Sequence, residues 1–462
     1  MRGQWVRGGA QSCRMRIARL TNTEGPYTVE CYGDGIDTTV PAAEFVDYTR
    51  WIGGAWYLAE GPYFWRMFLQ DFVRVPGLVL RGNPSRIFSA HEPRHAQWID
   101  AEPLLADDPN SARQAHGWIA RAADLNGGPV PRSLGAILLS RAGLEFDRMP
   151  LPGRGERYLL PPGNRQQILH HSARGEIRLY DLHGAFGAAV VAYGLPMGEG
   201  MAGLSWEHCD CHVRVIDCTV SDRSRSGLLP QFAKHGPHSA YEGGWYRTSL
   251  AEPLLVSGLA TGLVQLREVH CVWSFPVCHD ANALVHHAWN QRTKARAWYD
   301  QALWKSALHQ ALGKFGEGST LSTYAFTPPN PAEGWRLVHW GAEVYSQDAE
   351  YHPPFYHPVA AAWIRQCAQI PLLPILCEAE KCLRVYVDSV VTCDLDLPVS
   401  ENLGGWHKVA EGDEWRAKGA GICEIRGNGR RVWAAGSPKQ WFSLEKAKID
   451  TMLEKKWLTE RG

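Results

Sequence analysis

Residues Gly175–Glu199 read GEIRLYDLHGAFGAAVVAYGLPMGE, and their reading decides the fold. Ile177, Arg178, Leu179 and Tyr180 have the character of a short buried strand, which ends on a carboxylate, Asp181. A small, polar turn follows (His183, Gly184, Ala185), then Phe186 and an apolar run that stops at Leu195–Pro196. An acid at the mouth of a strand, beside the backbone amides of the next segment, suits a divalent cation with a triphosphate. The carboxylate binds the cation, and the amides face anionic oxygens. Taken alone, the same residues also fit a strand end with a solvated Asp.

Two further stretches bear on that choice. Lys381–Thr392, KCLRVYVDSVVT, reads as strand, turn, strand, with Asp388-Ser389 at the turn. Asn290–Glu317 is the clearest helix: Trp298, Ala302, Lys305 and His309 fall on one face, and Gly313 and Gly316 end it. Basic residues gather at its start (Arg292, Lys294, Arg296) and recur at Lys305 and Lys314.

In this order the three stretches resemble motifs A, B and C of family B DNA polymerases, and most of all the protein-primed branch. Motif A, Y-D-x-N-S-L-Y-P, corresponds to Tyr180–Gly187 and is closed by Pro196-Met-Gly198. Motif B, K-x-x-x-N-S-x-Y-G-K, corresponds to Lys305, His309, Leu312, Gly313 and Lys314, with His309 for the Asn and Leu312 for the Tyr. Motif C, Y-x-D-T-D-S, keeps its second acid as Asp388, while Tyr386 stands at the first. His357-Pro358-Val359 takes the place of a T-P core ahead of a palm helix, which Pro371 and Pro374 should cut short. Asn402–Lys408 with Glu411 resembles the L-G-x-W-x-x-E stretch after motif C. Lys418 stands where the family has a K-x-Y that supports the primer.

The resemblance implies an α/β protein with an α+β palm: a right hand of palm, fingers and small thumb, preceded by a shortened ribonuclease-H-like exonuclease-type domain. The implied boundaries are 1–165 for that domain, 166–285 for a palm with a trimmed insertion, 286–320 for fingers, 321–400 for the rest of the palm and 401–462 for the thumb. It implies catalysis by Asp181 and Asp388. The metal position is formed by these two with Leu182, for two Mg2+ ions or Mn2+. Nucleotide contacts fall to His183, Gly184, Ala185, Phe186, Lys294, Lys305 and His309, and DNA contacts to Gly313, Lys314 and Lys418. Phe186, at the ribose-sensing position, implies preference for dNTPs. The implied partners are a primer–template and dNTPs, with a primer or terminal-protein hydroxyl as acceptor.

The N-terminal 165 residues read as a mixed α/β segment with a strand at Tyr27–Tyr32, a helix over Ala42–Leu58 after Pro41, and a strand at Gly77–Leu80. The acids of a 3′–5′ exonuclease are missing: no early D-x-E occurs, Glu30 is the nearest strand acid, and Asp100-Ala-Glu102 comes too late. No proofreading is therefore expected. Tyr158–Arg165 reads as a Pro-Gly linker, and Leu228-Leu-Pro230 as the turn after a palm strand over Cys209–Val220. His208-Cys-Asp-Cys-His212 with Cys218 invites zinc, but with poor ligand spacing. Ser249–Leu266 reads as a helix and Val269–Trp273 as a strand.

Of the 462 residues, 48 are Lys or Arg and 48 Asp or Glu, so the formal charge is zero. Any grip on DNA must come from local patches, such as the basic terminal helix expected from Ser443 on. Twelve Cys without a signal peptide imply free thiols in a reducing cytoplasm, and the resemblance adds a bacterial, phage- or plasmid-associated setting. No apolar stretch approaches the roughly 20 residues of a membrane span. The 20 Trp are expected mostly in cores. Two further readings stand beside the polymerase: a catalytically silent polymerase-like binding module, and a zinc-dependent nucleic-acid binder.

Overall fold

A computed structural model describes residues 15–21, 27–59, most of 64–141, 166–203, 211–223, 244–316, 320–325, 335–339, 343–350, 356–419 and 421–435. The expected linker at Tyr158–Arg165, the Leu228–Pro230 turn and the helix from Ser443 lie outside these residues, as do His208 and Cys209. The chain forms two compact units, each built from separated stretches: Met1–Asp147 with His286–Tyr356, and Arg148–Val285 with His357–Gly462.

The first unit holds a ten-stranded sheet. Its early strands are β1 (Arg16–Thr21), β2 (Thr28–Gly33), β3 (Ile36–Pro41), β4 (Gly54–Leu58), β5 (Val79–Asn83), β6 (Arg86–His91) and β7 (Ala96–Asp100). Strands β1, β2 and β3 form an antiparallel meander, whereas β4 runs parallel to both β1 and β7. Apolar residues alternate onto one face, where Ala18, Leu20, Val29, Trp56 and Trp98 meet the Phe45, Phe64, Phe68 and Phe72 rings. The expected helix over Ala42–Leu58 is shorter, Phe45–Ile52. Gly53 (φ 70°) and Gly54 (φ 74°) turn the chain out of it, and the remainder becomes β4. On the opposite face lies helix Ala112–Asn126, capped by Ser111 and closed by left-handed Gly127.

Two corrections concern the stretch of chain that begins this unit's second segment and its sheet. The continuous helix expected over Asn290–Glu317 is two helices, Ala281–Lys294 and Trp298–Gly313. Ala297 is extended between them, the Gln301 side chain donates to the Ala295 carbonyl at 2.9 Å, and Asp300 in the new first turn suits a fresh helix N-terminus. Residues 321–356, expected in the palm, instead supply β15 (Thr320–Ala325), β16 (Arg336–His339) and β17 (Glu343–Glu350) to this sheet. They join it where β15 pairs antiparallel with β5, so they complete an edge that β5 would otherwise expose.

The second unit holds two sheets. One, ordered β22-β21-β20-β9-β19-β18-β8, is antiparallel throughout and comprises β8 (Gln166–Ile168), β9 (Ser172–Leu182), β18 (Cys382–Tyr386), β19 (Ser389–Cys393), β20 (Trp406–Gly419), β21 (Ile422–Gly427) and β22 (Arg430–Ala435). The other comprises β10 (Leu195–Pro196), β11 (Met201–Gly203), β12 (His212–Asp222), β13 (Trp245–Ala251) and β14 (Val264–Cys278). The helix expected over Ser249–Leu266 covers only Glu252–Ala260: Ser249–Ala251 end β13, Pro253 opens the helix, Gly262 (φ 71°) turns the chain after it, and β14 begins at Val264.

Helix Pro358–Cys367 starts on His357, whose Nδ1 accepts from the Ala360 amide at 3.1 Å, and it stops before Pro371 as expected. The apolar helical run Pro358–Leu376 is long enough to cross a membrane, but 72% of it is buried within the fold. Cys218 of the candidate zinc set is wholly buried in β12, and burial pushes its thiol up to about 12. Cys218 thus sits as a protonated thiol in the core of the sheet. Among the described residues no three His, Cys, Asp or Glu side chains converge as a metal cluster would.

Candidate active site

The site is built where β9, β18, β19 and β20 meet. Strand β9 is central: Ser389 of β19 stands opposite Asp181 on one side and His407 of β20 on the other. Opposed residues of neighbouring strands point to the same face. That face therefore carries Asp181 and Leu179 from β9, Ser389 and Val391 from β19, and Tyr386 and Arg384 from β18. The opposite face anchors the strand. There the buried Tyr180 donates to the Asp396 carboxylate at 2.5 Å; burial raises the phenol to about 12, and the hydrogen bond holds Asp396 below its ordinary value.

Asp388 sits in the two-residue turn between β18 and β19, after Val387. Val387 has φ 54°, a left-handed conformation unfavourable for a β-branched residue. The Asp388 carbonyl accepts from the Leu182 amide at 3.0 Å, which ties the turn to the end of β9. Asp181 and Asp388 thereby line one open cleft of about 470 Å³, with Ser389, Tyr386 and Arg384 on its floor and Val409, Gly421 and Trp433 along its wall.

Beyond Leu182 the turn is held from β20's side. The His183 amide donates to Gly405 at 2.9 Å and the Gly404 amide to His183 at 2.7 Å. The His183 ring lies flat on His407, 4.1 Å between centroids, with Nε2 3.5 Å from Glu401. Gly184 is left-handed and opens helix Ala185–Tyr193 with no side-chain cap, so the helix starts on backbone amides beside the carboxylates. Ala185 is buried and Phe186 half-buried. Lys418, half-buried, ends the β20 arm next to the turn that carries Gly421.

The remaining expected residues lie in the first unit. On helix Trp298–Gly313, Lys305 is exposed and Leu312 is core. Burial lowers the His309 pKa to about 4, assisted by the Lys305 and Arg292 charges, so that imidazole is neutral at pH 7. Lys294 is exposed at the end of the preceding helix. Gly313 closes its helix, and Lys314 opens the 3-10 turn that follows.

The resemblance assigns no role to His407 or to the buried Arg384. The signal for both is cross-strand register, which needs the pairing of β9 with β19 and β20. The two carboxylates are hard oxygen donors at one open cleft, a set that fits Mg2+ or Mn2+.

No protein-family profile matches the chain, and no curated protein sequence matches it. Solved structures do. Phi29 DNA polymerase with primer-template DNA and incoming nucleotide is 13% identical with a TM-score of 0.63, over 93% of this chain and 90% of that one. The same polymerase with single-stranded DNA is 14% identical with a TM-score of 0.64, over 92% and 90%. At such identity the likeness is one of fold: over more than nine-tenths of its length, this chain has the fold of phi29 DNA polymerase.

Proposed function

We propose that this protein is a DNA-directed DNA polymerase in which the second unit is the palm and Asp181 and Asp388 are its catalytic carboxylates. One observation carries the reading: two acids distant in sequence line one cleft, because β9 and β19 pair with Ser389 opposite Asp181. Asp181, Asp388 and Leu182 would hold two divalent ions, which when bound activate a hydroxyl and neutralise phosphate charge. The primer 3′-oxygen, or a terminal-protein hydroxyl, forms a bond to the α-phosphorus of a dNTP as the bond to the leaving pyrophosphate breaks. The amides that open helix Ala185–Tyr193 suit the triphosphate, and Phe186 suits exclusion of a 2′-hydroxyl. Contacts to the nucleotide from Lys294 and Lys305, and to DNA from Gly313 and Lys314, are proposed on the motif match alone.

Proofreading is proposed to be absent. Strand β1 carries no acid, and its Ala18 and Leu20 are in the core. Glu30 accepts from the Ala112 amide at 3.0 Å and faces Arg19 at 3.9 Å, so it serves as a helix cap. The buried Asp100 accepts from the Glu102 amide at 3.0 Å. Incubation with 3′-labelled single-stranded DNA and Mg2+ should leave the label in place; its release would overturn this part. Templated incorporation is tested with a primer–template and one dNTP at a time, where only the complementary nucleotide should be added. A catalytically silent, DNA-binding role is favoured by one feature, Tyr386 at the first motif C acid, and would give binding with no addition.

A further inference from the structure

Arg384 is the residue that the proposed chemistry leaves unused. It is 4% exposed, and among the described residues its Nε has no hydrogen-bond partner and its guanidinium no carboxylate. Its neighbours are aromatic: the guanidinium carbon lies 5.0 Å from the Tyr386 ring centre and 5.5 Å from that of Trp433. Burial lowers its pKa, yet a guanidinium stays protonated at neutral pH. A buried cation without a counter-charge is costly to fold around, and replacing such a group by an apolar one often stabilises a protein. Arg384 also lines the cleft that holds Asp181 and Asp388. A group that weakens the fold and faces the reaction cleft is best explained by an anion that enters that cleft.

We infer that Arg384 binds a backbone phosphate near the 3′ end of the primer strand, with Tyr386 and Trp433 flanking the same nucleotide. This rests on the polymerase reading above. A phosphate oxyanion could come from the primer or from the incoming triphosphate, and strand geometry favours the primer. Arg384 is in register with Val391 and Leu179, two residues back from Asp181, or about 7 Å along the strand. The helix whose amides suit a triphosphate begins on the other side of Asp181, after Leu182. The wall beside Arg384 is Trp433 and Gly421 of the β20–β22 arm, an apolar surface suited to a nucleoside rather than to a polyphosphate.

The test uses the full chain and measures primer–template binding by fluorescence anisotropy without nucleotide or chemistry. Arg384→Met should weaken binding about tenfold or more, while its melting temperature equals or exceeds that of the unaltered protein. Arg384→Lys should recover part of the affinity. Neutral methylphosphonate linkages placed singly at the last three primer phosphates should reproduce the loss at one position in the unaltered protein and add nothing in Arg384→Met. Normal primer affinity with a raised KM for dNTP would assign Arg384 to the triphosphate and overturn the proposal. Normal affinity and normal KM, or a melting temperature that falls in parallel with binding, would make Arg384 structural and likewise overturn it. If the unaltered protein binds the primer–template and loses affinity through Arg384→Met but adds no nucleotide, the polymerase reading alone falls. If it binds no primer–template, both fall.

Discussion

At the scale of single residues, the placement of Asp181 and Asp388 was legible because it is local: an acid closing a strand, and an acid in a tight turn. Their surroundings were not legible. The motif match alone did not show that Gly404 and Gly405 would clamp the His183 backbone, since that requires β20 to pair with β9 across more than two hundred residues of sequence. Gly404 has φ 79°, and a Cβ there would lie 2.9 Å from the Ala188 methyl, so both conformation and space require glycine. Gly404→Ala should therefore cost about 1–3 kcal/mol of stability, read from the denaturant midpoint. It should also depress nucleotide addition more than DNA binding. At Phe186, truncation to Ala should raise incorporation of ribonucleotides relative to dNTPs at least tenfold; unchanged discrimination would remove this ring from sugar selection.

Among the elements, strands bounded by clear turns were readable, whereas helix lengths were not. Hydrophobic periodicity carried the reading of Asn290–Glu317 through Ala297, where a side-chain hydrogen bond and an aromatic cluster redirect the chain: Tyr299 stacks on Trp118 at 4.5 Å. The same helix approaches helix Leu134–Arg141 so closely that a Cβ on Gly135 would lie 2.7 Å from the Ala311 amide nitrogen. Gly135→Ala should force the pair apart and lower the melting temperature of the first unit by several degrees, a loss that intrinsic helix propensity alone would not predict.

Two histidines, the buried His357 and the half-buried His309, set an acid limit at this scale. His357, a helix cap, and His309 both have folded pKa values lowered to about 4, with burial the largest cause. The unfolded chain therefore binds more protons than the folded one between about pH 6.5 and 4. The stability these groups contribute is present above that window and is lost as pH falls through it. Denaturant midpoints should decline from pH 7 to pH 4.5, and His357→Asn, which retains a capping acceptor without titrating, should flatten the decline.

For the whole molecule, the expected order of domains passed over the way the chain returns. Stretches of residues 286–356 return to complete the first unit, where β15 pairs with the side of β5 that β6 leaves open. A fragment ending at residue 165 lacks that partner and the helix against which Gly135 packs. It should show no cooperative thermal transition by near-ultraviolet circular dichroism, whereas the intact chain should show one. A sharp transition in the fragment would mean that the returning strands are dispensable.

A two-carboxylate nucleotidyl-transfer site assembled by β9 and the β18–β19 turn has a direct experimental signature. It is extension of a labelled primer–template by the intact protein, Asp181→Asn and Asp388→Asn, in Mg2+, in Mn2+ and in chelator. The account predicts templated addition by the intact protein with either metal, none in chelator, and a loss of at least a thousandfold in both variants with primer–template binding retained. Addition that survives either substitution, or its absence from the intact protein under both metals, would contradict it.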